Sequence, residues 1–283
     1  MYSRVYIEIT NTCNMNCSFC HGTRREPRQM SLGEFARVVS NLKGITEYLY
    51  LHVLGEPLSH PMLPTFIEYA KACGFKVAIT TNGTLLRSKG ESLLLTKPYK
   101  VNISLHSFEG ESDEAREQYI SSCLNFAERA SEQGILTVLR LWNLSDGAAA
   151  DLSADMLNST ALSTLRARFG EPESISARGG RIRDKLHFEF GERFEWPDMN
   201  AAYLGDAVFC HGLCDHFAIL VDGTVVPCCL DADGAVPLGN IFFEDIRAIL
   251  RSPRALAIKD GFAAKKASEE LCRRCAYARR FKI

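Results

Sequence analysis

The sequence has 283 residues, enough to bury a sizeable core in one large domain with a small one beside it. Hydrophobic residues make up 46% and charged residues 24%, and 33 basic side chains nearly balance 34 acidic ones, which speaks against a nucleic-acid or membrane-binding charge surface. No run reaches the roughly 18 apolar residues of a membrane span, and the start lacks the basic, apolar and cleavage regions of a signal peptide, so a cytoplasmic location is expected.

From residue 1 to about 200, short apolar or β-branched runs at 5–9, 48–54, 76–80, 100–105, 136–142 and 187–190 alternate with amphipathic segments. That alternation predicts parallel β/α units, six strands in all, two short of a closed barrel. Helices are expected at 31–42, opened by the capping pair Ser31 and Glu34, at 62–73 before Gly74, at 112–133 before Gly134, and at 151–169. Residues 170–184 read as an irregular connection, and 188–197, aromatic and acidic, as a domain junction.

The eleven cysteines cluster at 13–20, 210–229 and 272–275, a pattern of metal binding where disulfides are reduced; Cys73 and Cys123 stand apart and read as buried small hydrophobes. Cys13, Cys17 and Cys20 have C-x3-C-x2-C spacing in the loop after the first strand. Three thiolates hold three corners of an iron–sulfur cube and leave the fourth iron open to a chelating ligand. A zinc site would need a fourth ligand, for which His21 is available. Arg24, Arg25 and Arg28 follow as a solvated loop.

With Phe19 just before the third cysteine, this motif resembles the signature of the radical S-adenosylmethionine (radical SAM) superfamily. The resemblance covers nearly the whole chain. It implies an α/β fold, a partial (β/α)6 TIM-like barrel over residues 1–204, with chemistry at the carboxyl ends of the strands. A [4Fe–4S] cluster on Cys13, Cys17 and Cys20 would hold SAM by its amino and carboxylate groups. An external one-electron reductant such as flavodoxin or ferredoxin would then drive cleavage to a 5′-deoxyadenosyl radical.

The other strand ends carry matching residues. Leu54-Gly55-Glu56-Pro57 resembles the family's GGEP stretch, with Leu54 in place of the first glycine; Gly55 permits close backbone approach and Glu56 balances a positive charge. Asn82, in a Thr-Asn-Gly segment, and Ser104 fall where the family contacts SAM. Arg140 must meet a carboxylate, either that of SAM or an internal partner. His52 and His106 are the candidate proton shuttles, against a structural hydrogen-bonding role.

Past residue 205 the pattern changes to an apolar run at 217–221, an Asp222-Gly223 turn, a second strand at 224–229 and a helix near 245–251. Cys210, Gly223, Cys228 and the final pair Cys272 and Cys275 resemble SPASM and twitch extensions. The resemblance implies a small α+β domain, 205–283, with one auxiliary [4Fe–4S] cluster on Cys210, Cys228, Cys272 and Cys275. Cys214 competes with Cys210, and Cys229 faces away from Cys228 along a strand. A zinc ribbon would use the same thiols.

The implied reaction is net oxidation of an alcohol or sugar-like small molecule, the auxiliary cluster accepting the second electron. Only twelve residues precede Cys13, which leaves no space for a leader-recognition module. The alternative substrate is a ribosomal peptide or protein side chain. A different class altogether, an iron–sulfur electron carrier or zinc scaffold, would need a full ligand set in the first motif.

Overall fold

The computed structural model describes residues 1–108, 112–144, 152–176 and 178–281, along which strands and helices alternate. The order is β1 (Arg4–Ile7), α1 (Leu32–Asn41), β2 (Tyr48–Tyr50), α2 (Leu63–Ala72), β3 (Lys76–Thr81), α3 (Leu86–Thr96), β4 (Lys100–Ser104), α4 (Asp113–Glu132), β5 (Leu136–Leu144) and α5 (Leu152–Phe169). Three strands follow, β6 (Ser174–Ser176), β7 (Gly179–Arg183) and β8 (Leu186–Glu192). The chain ends with β9 (His216–Ile219), β10 (Thr224–Val226), β11 (Gly239–Asn240), α6 (Ile246–Ile249), α7 (Pro253–Ala263) and α8 (Glu270–Arg273).

Two compact units result. The first comprises residues 1–14, 20–76 and 194–283; the second comprises 15–19 and 77–193. In the first, β9 lies parallel to β1 with Val5 opposite Phe217, β1 is parallel to β2, and β10 and β11 continue outward antiparallel. The carboxyl-terminal hairpin therefore extends the sheet that the amino-terminal strand starts.

In the second unit β4, β5 and β8 follow β3 in parallel, and β7 and β6 add antiparallel edges. Alternate residues divide this sheet into two faces. Val101, Ile103, Thr137 and Leu139 are fully or nearly buried, whereas Lys100, Ser104, Arg140, His187 and Glu189 are half-buried. One face is apolar core; the other is mixed, with Asn102 and Val138 buried among the half-buried polar residues.

Several local expectations follow the chemistry that suggested them. Ser31 Oγ accepts from Glu34 N while the Glu34 carboxylate accepts from Ser31 N at 2.8 Å, a complete capping box. Ser112 caps α4 through Ala115 N, and Gly134 ends it at φ +82°.

Others are corrected. The second strand stops at Tyr50 because His52 N turns back onto Tyr50 O at 2.9 Å. The stretch 170–184, expected to be irregular, is so only over 170–173: β6 and β7 then pair antiparallel, and Cβ atoms on Gly179 and Gly180 would stand 2.2 Å from Phe188 O and 2.0 Å from Ser174 O. Only glycine lets those backbones approach so closely. Helices α3 and α7 were not expected; Gly90 interrupts the first, yet it is where the Phe126 ring packs. Cys123 is buried as expected, while Cys73 is half-buried at the end of α2.

Candidate functional site

The loop that carries the first cysteine motif is fixed at its base by Asn11. Its Nδ2 donates to Glu26 O at 2.8 Å and its Oδ1 accepts from Arg28 N at 2.7 Å, while Thr10 bridges Gln29. Cys13 and Cys20 are exposed in the first unit, and Gly22 N donates to Cys20 Sγ at 3.4 Å. Cys17 is half-buried in the second unit, its Sγ 3.5 Å from Ser107 O. An N–H aimed at sulfur stabilises the thiolate over the thiol, which is the form that binds iron.

Glu8 is the residue that sequence reasoning missed. It is fully buried in β1's continuation and accepts from Arg25 Nη2 at 2.7 and 2.6 Å, from Val221 N at 3.0 Å and from Leu54 N at 3.3 Å. One carboxylate thus joins the cysteine loop, the Leu54-Gly55 turn and the carboxyl-terminal hairpin. Burial pushes its carboxyl above the usual range, against the opposing pull of Arg25 and the two backbone donors. The signal was present: an acid inside the run 5–9 demands a partner, the argument applied to Arg140.

Of the arginines after Cys20, read as a solvated loop, Arg24 is exposed as expected, and Arg25 is the one that turns inward. Arg25 is largely buried and also donates to Ala232 O at 2.9 Å, Arg24 pairs with Asp198 at 2.7 Å, and Arg28 pairs with Glu34. His21 Nε2 meets Asp233 Oδ2 at 2.6 Å, its ring 5.8 Å from that of Trp196. Histidine held by aspartate is not available as a zinc ligand through that nitrogen.

At Gly55, φ is +73° and a Cβ would stand 2.4 Å from Thr10 O. The close approach is to the chain's own backbone, at the start of the cysteine loop, and Glu56 N donates to Thr12 O at 3.0 Å. Glu56 is buried and its Oε1 accepts from Leu58 N at 2.9 Å, capping the turn that begins at Pro57. His52 stands among aromatic rings, 5.4 Å from Tyr6 and 5.9 Å from Tyr50.

In the second unit, Asn82 Oδ1 accepts from Thr84 N and Oγ1 at 3.0 and 2.7 Å, an Asx turn, and Tyr119 Oη donates to Asn82 O at 2.6 Å. The same hydroxyl lies 3.3 Å from Ser104 O. His106 is buried with Nδ1 3.1 Å from Arg140 O and 3.3 Å from Trp142 N. That nitrogen holds the turn after β4 against β5, donating to Arg140 O in one tautomer and accepting from Trp142 N in the other. Arg140 Nε lies 3.2 Å from Glu189 Oε2 and its guanidinium packs 4.5 Å from the Trp142 ring. The internal carboxylate that an arginine in a strand requires is Glu189.

The carboxyl-terminal thiols gather in the first unit. Cys228 is half-buried, and desolvation, then the neighbouring charges of Cys229, Cys210, Cys272 and Cys275, hold its thiol far above the usual range. Cys272 and Cys275 rise chiefly by burial, Cys275 to about 11, and Cys210 rises likewise. Four half-buried thiols that repel each other's charge are costly to ionise until a cation neutralises them. Backbone donors already point at them: Gly212 and His211 at Cys210, Ala278 and Tyr277 at Cys275. This donor set fits an iron–sulfur cube. Among the described residues no three His, Cys, Asp or Glu side chains converge on a single ion. Cys214 is exposed, and Cys229 turns toward Tyr6 and Arg4.

A family model described as the radical SAM superfamily matches residues 7–145, and one described as an iron–sulfur cluster-binding domain, SPASM, matches 210–276. GTP 3′,8-cyclase of Chlorobaculum tepidum is 32% identical over 111 residues, 38% of this chain and 34% of that protein. The S-adenosylmethionine-dependent nucleotide dehydratase of Selenomonas ruminantium is 32% identical over 88 residues, 30% of this chain and 32% of that protein. The chain spans about a third of the length of these curated relatives.

Among solved structures, BtrN in complex with AdoMet and 2-DOIA superposes with TM-score 0.59 at 16% identity, covering 98% of this chain and 93% of that one. Streptococcus suis SuiB bound to precursor peptide SuiA gives 0.61 at 14% identity, covering 99% and 72%. At such identities the likeness is one of fold, the α/β fold with which a partial barrel is consistent.

Proposed function

Because the chain belongs to the radical SAM superfamily and carries a SPASM domain, whose cofactors are a [4Fe–4S] cluster with SAM and auxiliary iron–sulfur, we propose that it oxidises a small polyhydroxylated substrate by hydrogen-atom abstraction. When bound, the first cluster and SAM supply the 5′-deoxyadenosyl radical. Cys13, Cys17 and Cys20 are assigned to that cluster, and Cys210, Cys228, Cys272 and Cys275 to the auxiliary one, with the cluster-binding portion beginning near residue 205. Gly55, Glu56 and Pro57 pack against the base of the cysteine loop, and Gly55, Glu56, Pro57, Asn82, Ser104 and Arg140 are assigned to SAM binding.

The observation that carries the substrate class is Asn102. It is completely buried on the mixed face of the second unit, its Nδ2 donates to Thr80 Oγ1 at 3.1 Å and Ile79 O at 3.4 Å, and its Oδ1 has no hydrogen-bond partner. A buried acceptor left over in this way asks for a donor, and a substrate hydroxyl supplies one. Ser104, Arg140 and Glu189 on the same face add the polar contacts an alcohol or sugar would meet. A reducing partner such as flavodoxin or ferredoxin completes the reaction.

The test is anaerobic reconstitution with iron and sulfide, reduction, addition of SAM, and quantification of 5′-deoxyadenosine. The expected result is deoxyadenosine from the wild type, and none from the triple Cys13, Cys17 and Cys20 to Ala variant together with loss of about half its iron. A fully loaded wild type that makes no deoxyadenosine under several reductants overturns the reading. Deuterium transfer from labelled polyols into deoxyadenosine then identifies the substrate, and transfer from a peptide instead would replace the alcohol with a side chain.

A further inference from the structure

Beside the carboxyl-terminal thiols, the first unit encloses a cavity of about 390 Å³, within the size range of small-molecule sites. Its walls are held in place by the fold. Leu204 N donates to Arg273 O at 2.9 Å and Val208 N to Lys265 O at 3.0 Å, so the segment 204–208 is tied to α8 at one end and to the turn after α7 at the other.

The lining has three parts. Leu204, Val208, Phe209 and Phe281 make it apolar, the two phenyl rings standing at 88° with their centroids 6.4 Å apart. Arg273 and Arg279 bring cations to it. Arg273 is engaged by Asp206 at 2.8 Å and Glu270 at 3.3 Å, whereas Arg279 Nη2 donates at 2.9 Å to Leu204 O, a neutral acceptor that leaves the guanidinium its charge and its other N–H groups. Cys272 and Cys275 stand in the remaining wall.

Each part constrains the occupant. Two phenyl rings at right angles suit a flat ring system, stacked on one and edge-on to the other. A guanidinium beside that ring favours one that becomes negative when reduced. Two residues of the auxiliary ligand set in the wall place the occupant next to a centre that passes single electrons. A nicotinamide moves its electrons in pairs, as hydride, and does not match; a flavin accepts them one at a time.

We infer that this cavity binds the isoalloxazine ring of a flavin, which exchanges single electrons with the auxiliary centre. One electron leaves the reduced centre and enters the flavin; no bond is made or broken, and Arg279 offsets the negative charge that the ring gains. The exchange rests on the auxiliary cluster assigned under the proposed function; the binding of the ring does not.

The test is anaerobic titration of riboflavin into the cluster-loaded full chain, followed by quenching of the flavin fluorescence; riboflavin has no phosphate, so any part played by Arg279 is a part toward the ring. Saturable quenching is expected. Phe281→Ala should weaken binding about tenfold, the scale of a lost ring stack, and Phe281→Tyr should keep it within about threefold of the wild type. Arg279→Gln should lower the reduction potential of the bound flavin, a readout that a merely structural role would not move. When the chain is first reduced with dithionite and freed of the excess, the rate of flavin reduction should level off with rising riboflavin in the wild type and stay linear in Phe281→Ala. No saturable quenching, full affinity in Phe281→Ala, or a linear rate in the wild type overturns the inference. Flavodoxin in place of riboflavin identifies the source: saturation at lower concentration than riboflavin assigns the ring to the carrier, and saturation with riboflavin alone assigns it to free flavin. Riboflavin binding and reduction without any deoxyadenosine formation leaves the flavin site standing and removes the radical reading; deoxyadenosine formation without saturable flavin binding does the reverse.

Discussion

Arg25→Leu tests whether the buried carboxylate at Glu8 organises the cysteine loop. The substitution keeps much of the apolar bulk and deletes both hydrogen bonds to Glu8 and the one to Ala232 O. Opposite charges about 4 Å apart interact by about 4 kcal/mol at an effective dielectric of 20, and breaking a buried pair costs about 3–5 kcal/mol. The sign of the pH dependence follows from burial having already raised the folded pKa of Glu8 above its unfolded value. Such a carboxyl costs stability as pH climbs from the ordinary carboxylate range through its folded value, and without Arg25 that value moves higher still. The deficit of the variant is therefore largest near pH 8 and shrinks toward about pH 5, where the neutral acid needs no counter-charge. Urea unfolding followed by far-ultraviolet circular dichroism at the two pH values reads it out, and iron per chain reports whether the loop still assembles a cluster. A loss below about 1 kcal/mol at pH 8, the scale of an exposed pair, or one independent of pH, refutes the reasoning.

Three other outcomes follow from the geometry. Gly55→Ala places a methyl against Thr10 O in a left-handed conformation, so unfolding free energy should drop by about 2 kcal/mol or more, and a drop within error would show that the turn relaxes. Cys210→Ser should lower iron per chain and alter the auxiliary-cluster electron paramagnetic resonance signal, while Cys214→Ser should leave both as in the wild type; the reverse pattern exchanges their assignments. His106→Asn preserves a polar group against β5, so deoxyadenosine formation should fall by less than about tenfold, whereas a proton shuttle would lose about 100-fold or more.

What the sequence discloses depends on whether the deciding interaction is local. The Ser31 box and the glycine after α4 each act over a few residues, so residue type and interval suffice. Helix α7 was legible too, with Ser252 capping Ala255 N and Pro253 in the first turn, but a weak apolar stripe hid it. The β6–β7 hairpin was not legible, because its glycines answer to Phe188 in another strand. Glu8 shows the same limit at the site. A lone acid in a strand announces that it needs a partner, yet the partners arrive from 17, 46 and 213 residues away. Arg25, read as loop charge, could acquire its role only from that distant context.

The parallel pairing of β9 with β1 has a bearing on how the protein is made. Val5 must wait for Phe217, so the amino-terminal strand leaves the ribosome with one flank unpaired for some 200 residues of synthesis. At a translation speed of about 5–20 residues per second, that interval lasts roughly ten seconds or more, with an open edge of backbone donors and acceptors exposed to other chains. Arg4 blunts that edge, since a charge along an unpaired strand discourages foreign pairing. Cutting the chain near residue 205 would make the wait permanent, so the first 204 residues expressed alone should aggregate unless the missing hairpin is supplied in trans.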